Sequence, residues 1–253
     1  MPTTQEQTVF LFFWQRFTTF VRIMRHPVAR SNPITTIFMK SINVPRIDGL
    51  SRMSFDELNI AMERGAKRQA IDVVNWSEYP YCPIVSLDVA ADETHIFLRY
   101  FVRGEGVKAA FTEDNDAVWQ DSCVEAFFAA PDGDGYFNFE MNCIATLLAA
   151  KRQGRSEGVE HFPAEKMAQT IRFSTLPHEA FDEREGIHEW SVVLGIPFTL
   201  LGYAEGVRPT KMRANFYKCA DETHIPHYVS WSPIEITTPD FHRPDFFGEL
   251  CLE

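Results

Sequence analysis

From Pro83 onward, apolar and polar residues alternate in short runs separated by turn residues. Ile84–Ala90 and Ile96–Val102 flank Ala-Asp-Glu-Thr-His, a hairpin-length connection. Ser122–Ala130 and Tyr136–Asn142 flank Pro131-Asp-Gly-Asp-Gly135, rich in residues that tolerate left-handed backbone. The pattern predicts further strands over Thr170–Leu176, Ile187–Ile196, Met212–Cys219, His227–Trp231 and Glu249–Leu252, and one helical turn at Pro197–Leu201. Many short strands with few helical windows indicate an all-β sandwich or barrel.

One helix is predicted ahead of the strands. Ser54-Phe-Asp-Glu57 has capping-box spacing, and Phe55, Leu58, Ala61 and Met62 follow on one face. Gly65 is placed to end it, so the helix is expected over about 54–64.

Within the central hairpin, Phe137, Phe139, Met141 and Cys143 alternate with Tyr136, Asn138, Glu140 and Asn142. One face is therefore core, and the other carries amides and a carboxylate, groups that hydrogen-bond hydroxyls. Simple pairing through the turn sets Glu125 opposite Met141, on the apolar side. Either a bulge shifts the register or Glu125 is semi-buried with a partner.

Residues 1–38 read differently. The apolar run Val9–Trp14 stops at Gln15 and Arg16, far short of the ~20 residues of a membrane span. The acidic opening lacks the form of a secretory signal. Phe17, Phe20, Val21 and Met24 also have the spacing of an interfacial amphipathic helix. We read residues 1–38 as an appendage, either disordered or contributed by an upstream start codon, and residues 39–253 as the domain.

Charge narrows the choice of partner. The formal net charge is -11, and with four arginines against Glu6 in residues 1–38, the domain carries -14. No basic stripe offsets it, which argues against nucleic acid. Cys82, Cys123, Cys143, Cys219 and Cys251 form neither a CxxC pair nor zinc-ligand spacing. They read as reduced and mostly buried, which favours a cytoplasmic setting over an extracytoplasmic one.

Among the tryptophans, Trp190 sits in an apolar strand and is expected in the core. Trp76, among tyrosines and prolines, fits packing or a surface platform equally well. Trp119 lies in a polar loop, where an exposed ring usually binds something. Asp132-Gly-Asp-Gly135 lacks an EF-hand's spacing and is read as a plain hairpin turn. Cys219, Asp221, His224 and His227 have metal-like spacing, but Pro226 breaks any shared helical face, so they are expected at a loop rim.

Val118-Trp-Gln-Asp-Ser-Cys-Val-Glu-Ala-Phe-Phe128 resembles the family 9 carbohydrate-binding modules, xylanase-associated sugar binders, and their stand-alone bacterial relatives. Further matching segments are Asn75-Trp-Ser-Glu-Tyr-Pro-Tyr81, Asn142 within Glu-Met-Asn, Arg213-Ala-Asn-Phe-Tyr217, Ser230-Trp-Ser-Pro233 and Phe241–Gly248. The resemblance implies a jelly-roll-like antiparallel sandwich, sugar held between two Trp rings, and calcium ions with structural roles; no cofactor is required for binding. It places Trp119 and Trp231 on the stacking positions and Glu125 on a sugar-contacting carboxylate. Asp121, Asn142, Arg213 and Asn215 are candidate polar partners. Family members also carry a basic residue on the strand after the hairpin turn, where this chain has Asn138, Glu140 and Asn142. The expected function is non-catalytic binding of mono- or oligosaccharides such as xylo- or cello-oligosaccharides.

Two other functions compete. A glycoside hydrolase would need a carboxylate pair, for which Asp121, Glu125, Glu140 and Asp221 are candidates by type. A haem-binding sandwich would need an axial ligand, for which Met141 is available. No phosphate loop, zinc motif or Gly-x-Ser-x-Gly is present.

Overall fold

The structure, a computed structural model, describes residues 39–253. The expectations for residues 1–38 lie outside the described residues. Strand β1 (Ser41–Val44) precedes helix α1 (Phe55–Gly65), followed by β2 (Lys67–Ala70), β3 (Val73–Val74), β4 (Ile84–Ala91) and β5 (His95–Ala109). The central part holds β6 (Cys123–Ala129), β7 (Tyr136–Asn142), β8 (Leu147–Arg152), β9 (Glu160–His161) and helix α2 (Ala164–Met167). The chain closes with β10 (Ile171–Ser174), β11 (Phe181–Pro197), β12 (Lys211–Ala220), β13 (His227–Ser230) and β14 (Gly248–Leu252).

These strands make a β-sandwich of two sheets. The larger sheet runs β1-β14-β12-β6-β7-β8-β9, with β13 joining β12 and β3 joining β13; the smaller runs β10-β11-β5-β4-β2. All pairs are antiparallel except β1 with β14. The core lies between the sheets, where Leu87, Leu98, Tyr100, Trp190 and Leu194 meet Val124, Ala126, Phe128, Phe139, Met141 and Phe216. Tyr100 donates across it to the Glu125 carbonyl at 2.9 Å.

Helix α1 has the predicted cap: the Ser54 hydroxyl accepts from the Glu57 N–H, and the Glu57 carboxylate accepts from the Ser54 N–H at 2.9 Å. Its Leu58 and Met62 pack with Ala90, Phe97 and Val193 on the outer face of the smaller sheet. One helix was expected. The structure adds the single turn α2, whose Met167 is buried in the core.

Two strands outrun their expected ends. The strand expected to end at Val102 continues as β5 through Arg103-Gly-Glu-Gly106, paired with residues 181–189 of β11 across two register irregularities. Gly106 takes φ +77° there, so the glycines mark bulges within a ladder, not its end.

The β6–β7 register differs from simple pairing through the turn. The Ala130 N–H bonds the Gly135 carbonyl at 3.0 Å, so Ala130 belongs to the loop and Ala129 pairs with Tyr136. This one-residue shift puts Glu125 opposite Glu140 without a bulge in the ladder. Both then point to the outer face of the larger sheet, away from the inter-sheet core. That outer face is itself covered. Trp76, Phe127, Tyr136, Leu148, Tyr217, Ile234, Phe241 and Phe247 form a second apolar cluster on it, roofed by residues 75–79 and 234–247.

Candidate functional site

The outer face alternates by strand parity, which brings distant residues to one floor. Across neighbouring strands, Glu125 of β6 faces Glu140 of β7 and Tyr217 of β12, while Cys219 of β12 faces Cys123 of β6 and Tyr228 of β13. Arg152 closes β8 opposite Tyr136. A cleft of about 290 Å³ opens above Glu125, Glu140, Arg152, Cys219 and Tyr228. Trp119, Asp221, Arg155, Ser156 and Pro239 to His242 complete its lining.

Each ring at this cleft is held by its local structure. Trp119 sits in a single 3-10 turn (Val118–Gln120), half-exposed, with its carbonyl accepting from the Asp221 N–H at 3.2 Å. Tyr228 meets Tyr79 edge-on at 4.8 Å and Trp76 at 6.4 Å. Phe241 stacks on Tyr217 at 4.2 Å, and the Tyr217 hydroxyl donates to the Phe241 carbonyl at 3.1 Å. His242 Nδ1 hydrogen-bonds the Tyr136 hydroxyl at 2.8 Å.

Beneath the rings lies a connected polar floor. Arg152 Nε donates to Asn138 Oδ1 at 2.8 Å, and Asn138 Nδ2 donates to Glu140 Oε1 at 2.8 Å. The Cys219 thiol donates to Glu125 Oε1 at 3.0 Å. Glu125 and Glu140 are each 4% exposed, and among the described residues neither has an ion-pair partner. Burial, then the neighbouring Glu140, pushes the Glu125 carboxyl far above the carboxylate range. Burial raises Glu140 as well, with the Arg152 guanidinium opposing it. Burial brings Asp221 up to about 6 and holds His242 down to about 3.

Of the residues expected at the site, Trp119 and Glu125 line this cleft. Trp231 does not: it is 0% exposed in the inter-sheet core, 5.5 Å from Phe216, with its indole N–H donating to Gln69 Oε1 at 3.2 Å. A fully buried ring offers no face to a sugar. Strand parity is the reason. Val229 and Trp231 point inward, and Tyr228, three residues before Trp231, points outward.

The polar candidates anchor the loops that bear the walls. Asp121, fully buried, accepts from the N–H groups of Ala110 and Phe111 at 2.8 and 3.1 Å and from Asn142 Nδ2 at 3.0 Å. Asn142 Oδ1 accepts from the Thr146 N–H at 2.9 Å. These bonds leave neither side chain free for a ligand. Asn215 clamps Ser232 from both sides, at 3.0 and 2.8 Å. Arg213 donates to the Pro244 carbonyl at 2.8 Å. Both hold the segment carrying Phe241 and His242.

Other sequence readings resolve locally. Trp190 is core, and Trp76 packs under the roof with its N–H on the Ile236 carbonyl at 3.0 Å. Met141, the candidate haem ligand, is buried in the inter-sheet core. Asp132 Oδ1 accepts from the Asp134 N–H at 3.0 Å, and Lys151 pairs with both carboxylates, as in a plain turn. His224 pairs with Glu183 and His227 with Lys218, so the four donors at loop spacing do not converge. All five cysteines are free. Among the described residues, the one convergent group of potential metal ligands is Cys123, Glu125 and Cys219. A set with two sulfurs does not suit calcium, a hard cation that takes oxygens. No helix among the described residues is long and apolar enough to cross a membrane.

Sequence reasoning missed Arg152, Tyr228, Phe241 and His242. The basic residue at the floor comes from β8, one strand beyond the position the resemblance indicates.

Comparison with known proteins supplies the family. A family model described as carbohydrate-binding family 9 matches residues 56–252. A proposed carbohydrate-binding protein from Bacteroides uniformis ATCC 8492 is similar at 36% identity and a TM-score of 0.80, over 85% of this chain and 99% of that one. A family 9 module from Caldicellulosiruptor kristjanssonii, solved with cellotriose, shares the fold at 13% identity and a TM-score of 0.51, over 85% of this chain and 94% of that one. The same organism's module with glucose matches at 12% identity and a TM-score of 0.50, over 85% of this chain and 96% of that one. No curated protein matches the chain.

Proposed function

The chain belongs to carbohydrate-binding family 9, and from that premise we propose that the Trp119 cleft holds a sugar without transforming it. The observation that carries this reading is one half-exposed indole beside two buried carboxyls and a guanidinium in a single cleft. Sugar rings carry flat C–H faces that lie on aromatic rings, and edge hydroxyls that need both donors and acceptors. Trp119 and Tyr228 supply ring surface, while Glu125, Glu140 and Arg152 supply the polar edge. At about 290 Å³ the cleft is at the small end of ligand sites, which fits one or two sugar units.

The ligand class proposed is neutral β-linked gluco- or xylo-configured sugars. Cellotriose and glucose occupy the Caldicellulosiruptor kristjanssonii modules.

Hydrolysis is the second reading, because Glu125 and Glu140 are a facing pair with raised pKa. Glycosidase carboxyls flank the scissile bond, however. Here the two stand side by side on neighbouring strands of one floor, and they reach the same side of a bound ring. Calorimetric titration with glucose and cellobiose, paired with a product assay, tests the proposal.

A further inference from the structure

The floor of the cleft contains a second constellation, built on two cysteines that sugar binding does not use. Cys219 stands directly opposite Cys123 across the β12–β6 pair, and Glu125 follows Cys123 by two positions, hence on the same face. Their Sγ and carboxylate oxygen atoms lie within 4.8 Å of one another, and all three side chains are buried. The cleft is lined by Cys219 and Glu125, with Cys123 directly across the strand pair from Cys219.

Two sulfurs and one carboxylate oxygen converging on a point select by softness and by geometry. Thiolates favour zinc and similar thiophilic ions over calcium or magnesium. A tetrahedral zinc with Zn–S near 2.3 Å and Zn–O near 2.0 Å has donor–donor edges of roughly 3.3–3.8 Å. The 4.8 Å limit encloses such edges, and the Cys219-to-Glu125 approach of 3.0 Å shows that the donors already meet. We infer that Cys123, Cys219 and Glu125 form a three-ligand site for a thiophilic divalent cation, with the fourth position open to the cleft and filled by water or a ligand oxygen.

Charge and proton balance follow from the surroundings. Two thiols and the Glu125 carboxyl must each lose a proton to solvent as two metal–sulfur bonds and one metal–oxygen bond form, leaving two thiolates, a carboxylate and a 2+ ion. The residual single negative charge faces the Arg152 guanidinium over the cleft, and the buried Lys218 ammonium bonds the Cys219 carbonyl. Burial holds Cys123 up to about 12 and Cys219 well above its ordinary value, so both are thiols before the ion enters. Uptake therefore tightens as pH rises. The site shares Glu125 with the sugar cleft, but it does not rest on sugar being bound there.

The test uses the full, reduced chain with cobalt(II) as a spectroscopic stand-in for zinc. The expected result is tetrahedral visible bands and a near-ultraviolet sulfur-to-cobalt charge-transfer band, all displaced by one equivalent of zinc. Cys82→Ser and Cys251→Ser should leave the band intact. Cys123→Ser or Cys219→Ser should abolish it and weaken zinc by more than about a hundredfold, since even an outer partner's loss costs roughly 10–100-fold. Zinc-edge X-ray absorption of the unaltered protein decides the matter without variants: two sulfurs near 2.3 Å are expected, with lighter atoms closer. The absence of a charge-transfer band, a band surviving both Cys123→Ser and Cys219→Ser, or a shell without two sulfurs overturns the assignment.

Discussion

Glu125 and Glu140 stand directly opposite each other on β6 and β7, on the outer face of the larger sheet, each 4% exposed. Like charges in that position repel, and burial disfavours both anions. The pair therefore retains a proton well above the usual carboxylate range. One carboxyl can then donate while its neighbour accepts, matching sugar hydroxyls, which do both. A one-residue change of register would have put Glu125 opposite Met141 and dissolved the floor.

This pair should leave a signature in the pH dependence of stability. Both carboxyls titrate higher in the folded than in the unfolded chain. The folded protein thus binds more protons in the interval between, and their contribution is lost as pH rises through the folded values. His227 and His242, each lowered to about 3 by burial, act in the opposite sense and lose stability as pH falls below about 6.5. Glu140→Gln removes the Glu140 share of the first effect and eases that of Glu125, whose burial remains, and leaves the histidines unchanged. Melting curves between about pH 5 and about pH 8 should show the variant gaining on the unaltered protein as pH rises. A constant difference over that range would show that Glu140 carries no raised pKa.

The two tryptophans of the motif segments should separate cleanly in melting experiments. Trp231 fills the inter-sheet core, so Trp231→Ala should cost ~3–5 kcal/mol of stability. Trp119 is half-buried on a short turn at the edge of the outer cluster, and Trp119→Ala should cost far less stability than Trp231→Ala. If Trp119→Ala unfolds the protein, the ring is structural and the cleft is not its purpose.

Asp121 illustrates a site-motif residue whose work is positional. Asp121→Ala removes the acceptor of two part-buried backbone N–H groups and of one buried amide N–H, losses of ~1–3 kcal/mol where the donor is shielded from water, and should destabilise the protein by on the order of 3 kcal/mol. Denaturant titration measures this. A neutral effect on stability together with lost sugar affinity would place Asp121 among the direct contacts instead.

Much of the fold is readable from alternation: β4, β6, β7, β10, β12, β13 and β14 fall where the pattern places them, to within a residue or two. Strand β8 is not readable. Leu147, Leu148, Ala149 and Ala150 are buried on both faces, so no alternation survives, and alanines are poor strand formers. Missing β8 meant missing Arg152 at its end. In the site, Trp119 and Glu125 stand out because they share one short segment. Tyr228, Phe241 and His242 reach the cleft through pairing with β12 and through a roof segment held by Arg213 and Asn215. Such long-range placement leaves no local pattern. Parity within His227–Trp231 was the available clue against Trp231, since Tyr228 and Trp231 must face opposite ways in a continuous strand.

Binding without turnover has its own test. Incubation with aryl glycosides and with cello- and xylo-oligosaccharides should release no product above buffer controls. Steady release that disappears in Glu125→Gln would make the facing carboxyls catalytic.

The most direct measurement is calorimetric titration of the protein with glucose, xylose, cellobiose and xylobiose, repeated on Trp119→Ala. At ~0.3–0.5 kcal/mol per heavy atom, a monosaccharide should bind with Kd from about millimolar to tens of micromolar, and a disaccharide filling the cleft near ~10 μM. Losing the stacking ring should cost ~2 kcal/mol, so Trp119→Ala is expected to weaken binding about thirtyfold or more. Heat of binding to none of these sugars, or an unchanged Kd in Trp119→Ala, contradicts the placement of the sugar in this cleft.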